Sequence, residues 1–198
     1  MDENQYYSSS TKKYLVYRNP ARSKIRNIRF HERRSLITAL TLGFLLNRIV
    51  ILPKFDCYGC QSDACKMSSS GCSLNSHILI KEFDKHFNKK YREHVFLKNH
   101  KVPIKIKHSV SPTIHVVKAA STVKKKSQDQ EYLYILGKNQ SCSAQNVNQW
   151  LGRGIFTEFS VLHFHTLDFD IDYRNQTWWR KIDEAFISSD YRQRINLG

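Results

Sequence analysis

The first quarter of the chain contains two short apolar runs that predict strands and a longer one that predicts a helix. Tyr14 to Tyr17 (YLVY) and Ile49 to Pro53 (IVILP) are continuous apolar runs with the length of buried strands. Leu36 to Leu46 lies between them and is apolar on most faces, which predicts a helix buried between a sheet and another layer. Because a helix then joins two strands, the three segments predict one parallel β-α-β unit.

The second half of the chain contains further segments with strand and helix patterns. Glu131 to Leu136 (EYLYIL) and Phe159 to Leu167 (FSVLHFHTL) are rich in β-branched and aromatic residues, which are typical of strands. A short helix is predicted from Asn146 to Leu151, and an amphipathic helix from Thr177 to Ile195. The sequence between Lys81 and Lys126 has no pattern that predicts a particular helix or strand.

Together these segments predict an α/β fold, with a Rossmann-like, open and mostly parallel sheet flanked by helices. The length of 198 residues suits a single domain, which we place at residues 14–198 after a flexible polar arm at residues 1–13. Residues 98–128 form a basic segment of this domain that we expect to be mobile.

No membrane span is expected in this chain. The apolar stretch from Leu36 to Leu52 is interrupted by Asn47 and Arg48 and closed by Pro53, so that a helix followed by a strand accounts for it better. We recognise no secretory signal or membrane anchor.

Basic residues concentrate just before and within the start of the predicted helix. Cations at a helix N-terminus oppose the helix dipole, whereas a bound anion would be stabilised there by the dipole and the free backbone N–H groups. The loop has neither the glycines of a dinucleotide fingerprint nor the GK[ST] ending of a nucleotide-triphosphate loop. The alternative is a solvated basic turn. The residues are Arg22, Lys24, Arg26, Arg29, Arg33 and Arg34, with Glu32 as the single acid among them.

The whole chain is strongly basic, with a formal net charge of +15. No acidic residue occurs between Glu93 and Asp129, although this stretch contains many lysines, so attraction to polyanions is expected. No RNA-recognition, homeodomain or zinc-finger pattern accompanies the lysines, and nucleic acid is therefore not the expected partner. A solvated basic loop is the plainer interpretation of the lysines.

A family resemblance gives the basic loop a more specific interpretation. The run NIRFHERRSLITALTLGFLLNRIVILPKF, the cysteines after it and the later VLHFHTLDF resemble the carboxy-terminal domain of plant arabinosyltransferase-type nucleotide-diphospho-sugar transferases. The likeness to protein O-fucosyltransferases is more remote. The shared pattern falls on Asn27, Arg33, Leu36, Ala39, Leu40, Leu46, Asn47, Arg48, Leu52 and Pro53.

The resemblance implies a glycosyltransferase-like domain for sugar-nucleotide-dependent transfer to a protein or glycan acceptor, either complete or auxiliary to a partner transferase domain. It implies a nucleotide-diphospho-sugar as donor substrate and a location in the lumen of the Golgi or endoplasmic reticulum. Arg29 or Arg33 would stabilise the leaving nucleoside diphosphate as its negative charge develops. The catalytic residues stay unassigned, and the expected donor-diphosphate contacts are Arg26, Asn27, Arg29, Arg33 and Arg34.

The cysteines and the glycosylation sequons bear on the compartment. Four cysteines at short spacing could form two disulfides in an oxidising lumen, hold a structural zinc ion or remain free thiols, and the resemblance to secretory-pathway enzymes favours disulfides. The sequons begin at Asn139 and Asn175, and would mark surface loops of a glycoprotein. The clustered cysteines are Cys57, Cys60, Cys65 and Cys72, with Cys142 apart from them.

Histidines and acids at the end of the last predicted strand are further candidates for chemistry. His163 and His165 alternate and should project from one face of the strand, as a base or phosphate contact or as satisfied strand residues. Asp168, Asp170 and Asp172 form a DxDxD run that could hold a divalent metal at the donor diphosphate, or remain solvent-exposed. The alternative function is a noncatalytic basic module that binds acidic glycans or nucleic acid.

Overall fold

The computed structural model describes residues 6–7, 11–19, 28–55, 80–118, 131–136, 142–167, 169 and 171–172. The strands are β1 (Tyr14–Tyr17), β2 (Ile49–Ile51), β3 (Tyr91–Arg92), β4 (Thr113–Lys118), β5 (Glu131–Leu136), β6 (Cys142–Ser143), β7 (Val161–Phe164) and β8 (Ile171–Asp172). The α-helices are α1 (Ile28–Leu45), α2 (Ile80–Phe87), α3 (Ile104–His108) and α4 (Ala144–Trp150), and short 3-10 helices cover Phe96–Lys98 and Gly154–Thr157.

The β-α-β unit predicted at the start of the chain is present as β1, α1 and β2. The two strands pair in parallel, with Tyr14 opposite Ile49. Helix α1 ends where Asn47 takes a positive φ of 49°, and the Arg48 N–H then donates to the Gly43 carbonyl at 2.8 Å. Gly43 leaves no room for a side chain, because an added Cβ would lie 2.8 Å from a Val50 methyl group. The chain therefore passes from α1 to β2 through a tight turn, with Gly43 packed closely against Val50.

Six parallel strands form the main sheet in the order β3-β2-β1-β7-β4-β5, which confirms the predicted α/β fold. Strand β7 lies between β1 and β4, and pairs with β1 through Tyr14 opposite Val161. Strands β6 and β8 form a separate parallel pair. The amphipathic helix predicted from Thr177 to Ile195 lies outside the described residues.

Hydrophobic cores cover both faces of the main sheet. On one face, which we call the helix side, α1, α2 and α4 pack against strand residues such as Leu15 and Phe164. On the other face, the far side, Tyr14 and Val161 pack against residues of α3 and of the first 3-10 helix. Successive residues of a strand point to opposite faces, so each strand contributes to both cores. This alternation also fixes which polar side chains share a face.

Two tyrosines of the predicted flexible arm lie on the far side, against buried Arg92. The Arg92 guanidinium carbon is 4.1 Å from the centre of the Tyr6 ring, and the Tyr7 ring stacks on Phe96 at 5.8 Å. Arg92 is only 1% exposed, so that aromatic faces replace much of its solvent. The predicted domain limits stay a prediction.

Helix α1 has 18 residues and is the longest described helix. None of the described helices combines the length and the apolar character that crossing a membrane requires. Polar groups on α1 make tertiary contacts, since the Thr38 hydroxyl donates to the Phe169 carbonyl at 2.5 Å.

Candidate functional site

The carboxyl ends of β1 and β7 meet at the point where the strand order changes direction. From β1 the chain adds β2 and β3 on one side, whereas β7, β4 and β5 lie on the other. Open α/β sheets bind their ligands in the crevice at such a switch point, outside the carboxyl ends of the strands. Arg18 and Asn19 follow β1 at this edge and His165 follows β7, and the Arg18 N–H donates to the His165 carbonyl at 3.2 Å.

Asn19 ties together the loops and the helix on the helix side of this edge. Its Nδ2 donates to Glu32 Oε1 at 2.8 Å and to the Lys54 carbonyl at 2.8 Å. Glu32 lies in the second turn of α1 and is 3% exposed, so the amide satisfies a buried carboxylate. The Asn19 Oδ1 is buried and has no hydrogen-bond partner among the described residues. One acceptor at the edge therefore remains for a ligand or water.

Burial and the Glu32 carboxylate together hold Tyr17 in its neutral form. Burial is the larger cause that raises the pKa of the Tyr17 hydroxyl well above its ordinary value, and repulsion from Glu32 adds to it. Tyr17 is the last residue of β1 and is 2% exposed. Its neutral hydroxyl lies below the edge as part of the core, and we assign it no catalytic role.

Three histidines and one arginine gather on the far side of the same edge, and we call them the histidine cluster. His163 lies on the same face as Val161 of the far-side core, and His115 lies on the face opposite to buried Ile114. The rings of His115 and His165 stack with centres 4.6 Å apart and planes at 22°. Arg18 completes the group.

Hydroxyl groups on and beside β4 hold His163 in place. The Thr113 hydroxyl lies 3.3 Å from His163 Nδ1, and the His163 backbone N–H donates to Ser111 Oγ at 3.0 Å. The Ser111 hydroxyl in turn donates to the Pro112 carbonyl at 2.9 Å. Because the Thr113 hydroxyl engages Nδ1, the Nε2 atom is the ring nitrogen left to contact a ligand.

Every electrostatic contribution to His163 disfavours its protonated form. Burial is the largest cause that lowers the pKa of His163, and the charges of Arg18, His165 and His115 lower this pKa further. The three groups that act on His163 are all basic. A bound anion would favour the protonated form of His163.

Among the described residues, which include the histidine cluster, no three histidine, cysteine or acidic side chains are arranged to hold a metal ion. What the cluster offers a ligand is positive charge and N–H donors.

The structure locates part of the site that was predicted from the sequence. His163 and His165 share one face, as their alternate spacing predicted, and Arg33 and Arg34 lie half-buried in the second turn of α1. Only the backbone of Arg29 and of Asp172 is described, in α1 and β8. The other predicted site residues lie outside the described residues: Arg26, Asn27, Cys57, Cys60, Cys65, Cys72, Asn139, Asp168, Asp170 and Asn175.

The site residues predicted from the sequence did not include Arg18, Asn19, Thr113 or His115. Arg18 and Asn19 directly follow a predicted strand, and the rule that ligands bind at strand carboxyl ends could have selected them. His115 and Thr113 carry no such local signal. They reach the site only because β4 pairs with β7, with Ile114 opposite Phe164.

Arg48, which belongs to the pattern shared with glycosyltransferases, lies at the opposite edge of the sheet. It is 4% exposed, and its guanidinium donates to the carbonyls of Phe156 at 2.8 Å and Phe159 at 3.0 Å. These carbonyls belong to the segment that leads into β7. Arg48 therefore joins β1, β2 and β7 at their amino ends and has a structural role.

No protein-family model matches this chain, and neither does any curated protein or any solved structure. The described sheet and the polar groups at its carboxyl edge are therefore the basis on which function is inferred.

Proposed function

We propose that this chain is a glycosyltransferase-like domain that binds the diphosphate of a sugar nucleotide at the carboxyl edge of the sheet, beside β1. One observation carries the proposal: Arg18, His163 and His165 come together from neighbouring parallel strands where the strand order changes direction. Rossmann-like sheets bind nucleotides at this position. The positive charge of Arg18 suits a diphosphate.

Helix α1 would supply the second half of the diphosphate site. Its N-terminus lies at the same edge, because the helix connects the carboxyl end of β1 with the amino end of β2. Backbone N–H groups at a helix N-terminus bind phosphate, and Arg33 and Arg34 in the second turn add positive charge. Arg29 in the first turn is the further candidate that the resemblance names.

The main requirement of the proposed reaction is the stabilisation of the negative charge that develops on the leaving diphosphate. Glycosyl transfer breaks the bond between the anomeric carbon and the diphosphate oxygen, while an acceptor hydroxyl oxygen bonds to that carbon and loses its proton. Cations at the edge would stabilise the charge that develops on the leaving diphosphate. A neutral imidazole, the form that its surroundings favour for His163, could accept the hydroxyl proton.

Nucleotide binding tests the proposal directly. Isothermal titration with UDP and with GDP is expected to detect binding of one of them, and Arg18→Gln is expected to weaken it about tenfold, the effect of losing one charged hydrogen bond of about 1.5 kcal/mol. Arg33→Ala should act in the same direction. Arg153→Gln is the matched control, since Arg153 is exposed and precedes the 3-10 helix that Arg48 contacts at the amino edge. Absence of binding to both nucleotides, or binding that the Arg18 and Arg33 variants leave unchanged, would refute the proposal.

Exposed basic residues around α3 favour a second candidate function, a noncatalytic module that binds acidic glycans. Lys98, Lys101 and Lys105 are exposed on this segment, and Ile104 between them is 69% exposed. Heparin binding that falls steeply between low and moderate salt, without preference for any nucleotide, would support this function. Lys101→Gln and Lys105→Gln should reduce such binding and leave nucleotide titrations unaltered.

A further inference from the structure

One edge of a buried arginine on the far side of the sheet has no hydrogen-bond partner among the described residues. Arg92 is 1% exposed, and its Nη1 atom donates to the carbonyls of Tyr91 at 2.6 Å and Lys89 at 3.5 Å. Its Nε and Nη2 atoms are buried and without a partner. These two atoms form the side edge of the guanidinium, which can bind a carboxylate through two parallel hydrogen bonds.

A tyrosine hydroxyl near this arginine is in the same situation. Tyr14 is the first residue of β1 and is completely buried, and its hydroxyl has no hydrogen-bond partner among the described residues. Burial raises the pKa of this hydroxyl and the charge of Arg92 acts against the rise, so the two groups lie within electrostatic reach of each other. An anion between them could accept hydrogen bonds from both.

We infer that the free edge of Arg92 and the Tyr14 hydroxyl form a carboxylate-binding site, which takes an organic monoanion with an apolar body. This site goes beyond the proposed function and lies apart from the carboxyl edge. Tyr14 lies opposite Ile49 and Val161, where β1, β2 and β7 begin. The Lys89 carbonyl that accepts from Arg92 precedes β3. Both groups therefore point to the amino edge of the sheet.

The surroundings of these two groups favour a ligand with a single charge and an apolar body. The Phe96 ring lies 5.0 Å from the Tyr14 ring and 5.8 Å from the Arg92 guanidinium carbon. Burial is the largest cause that lowers the pKa of Arg92, so its cation would be stabilised by a paired anion. One carboxylate balances this charge, whereas a phosphate dianion would leave a buried negative charge over. The rings would contact the apolar body of the ligand.

Two tyrosines that precede β1 cover the site. The Tyr6 ring lies over the Arg92 guanidinium carbon at 4.1 Å, and the Tyr7 ring stacks on Phe96 at 5.8 Å. The Tyr6 and Tyr7 rings are 4.7 Å apart, and both residues are half-buried. Because they lie outside the sheet, they can move aside without breaking a strand pairing. The ligand would therefore enter by displacing them.

Benzoate is the probe for this site, because it joins a carboxylate to an apolar ring. Its binding to the full chain is measured by NMR titration of the benzoate signals. Benzamide has nearly the same shape without the charge and should not bind. Acetate lacks the ring and inorganic phosphate carries a second charge, so both should bind more weakly than benzoate. UDP and GDP should not displace benzoate, because their proposed site lies at the opposite edge of the sheet.

Tyr14→Phe is the sharpest variant, because it removes the hydroxyl and keeps the ring. It should weaken benzoate binding about tenfold, as expected for one lost hydrogen bond to a charged group. Without benzoate its melting temperature should not fall, since the hydroxyl has no hydrogen bond to lose. Tyr17→Phe is the matched control. Tyr17 has a buried hydroxyl without a partner on the same strand, but faces the helix side, so benzoate binding should not change.

Two further variants test the arginine and the cover. Arg92→Lys keeps the charge and removes the fork, so it should weaken benzoate binding at least as much as Tyr14→Phe, and thermal melting verifies that it folds. Tyr6→Ala should strengthen benzoate binding, because less of the binding free energy is spent on displacing the ring.

The outcomes separate this site from the proposed function. Absence of benzoate binding, or equal binding of benzamide, would overturn the inference, and water would then satisfy the Arg92 donors. Benzoate affinity that Tyr14→Phe leaves intact, or tighter binding of phosphate than of benzoate, would overturn it as well. Weaker binding by Tyr6→Ala would reject the covering role of Tyr6. Benzoate binding that follows the expected pattern in a chain that binds neither UDP nor GDP would uphold this site and reject the sugar-nucleotide function.

Discussion

Replacement of Arg48 by methionine is expected to destabilise the protein strongly, although Arg48 lies far from the candidate site. The side chain is 4% exposed and joins the start of β1 to the segment before β7. Methionine keeps an unbranched apolar stem of similar length and removes every donor. The acceptors of its guanidinium are the carbonyls of Phe156 (2.8 Å), Phe159 (3.0 Å), Tyr14 (3.2 Å) and Ser160 (3.4 Å).

The magnitude follows from the two shortest of these bonds. A hydrogen bond to a charged group contributes about 1.5–3 kcal/mol, so that the bonds to Phe156 and Phe159 together contribute about 3–6 kcal/mol. Water that enters the vacated space can satisfy part of the loss, and we therefore expect about 3–4 kcal/mol. This is a large share of the stability of an ordinary domain, about 5–15 kcal/mol.

Equilibrium urea unfolding, followed by tryptophan fluorescence, measures the effect. Arg48→Lys keeps the charge but offers a single donor point instead of a fork, and should lose about half as much. Arg153→Met is the control, since Arg153 is exposed and a surface substitution should change stability by no more than about 0.5 kcal/mol. If the free energy of unfolding of Arg48→Met lies within about 1 kcal/mol of that of the original protein, and its denaturant slope is unchanged, the structural role assigned to Arg48 is wrong.

Three further predictions concern packing, the sheet edge and pH. Gly43→Ala should lower the free energy of unfolding by about 1–3 kcal/mol, because its Cβ would meet the Val50 methyl at 2.8 Å and a backbone carbonyl at 2.9 Å; an unchanged melting temperature would contradict this. Asn19→Asp should place a second carboxylate beside Glu32, and the resulting loss of stability in urea unfolding should be greater at pH 8, where ordinary carboxyl groups are ionised, than at pH 4, where they are about half protonated. The lowered pKa of His163 means that the folded state resists protonation, so stability should fall as pH decreases below about 6.5. His163→Gln should reduce the difference in melting temperature between pH 7.5 and pH 5.5. An unaltered difference would contradict the role of His163 in this pH dependence.

Two strands have the bounds that the sequence pattern predicted, β1 (Tyr14–Tyr17) and β5 (Glu131–Leu136). Strand β1 lies inside the parallel sheet and is buried along most of its length, so that it needs no polar face. The content of β-branched and aromatic residues predicted β5. The elements in the middle of the chain could not be predicted in this way. Strand β3 has two residues and α3 has five, which is too short for either to complete a recognisable period.

The candidate site could be predicted only in part, because its residues meet through pairing between distant segments. The alternate spacing of His163 and His165 is a local property, and it correctly predicted that they share a face. Their partners are not local, since Thr113 and His163 lie 50 positions apart. The basic loop was predicted as a site from its charge and from the family resemblance, whereas no sequence pattern predicted the part-buried Asn19–Glu32 hydrogen bond.

The sequence by itself determined the local elements and the charge of this protein: the first β-α-β unit, the apolar character of α1 and the excess of basic residues. Hydrophobic periodicity depends on neighbours within a few residues, so it specifies the type of an element but not its partner. Only the tertiary structure decided that β7 lies between β1 and β4, since backbone hydrogen bonds between strands carry no sequence code. That order makes a basic cluster of Arg18, His115 and His163, and it lets Arg48 link segments that lie 111 positions apart in the chain.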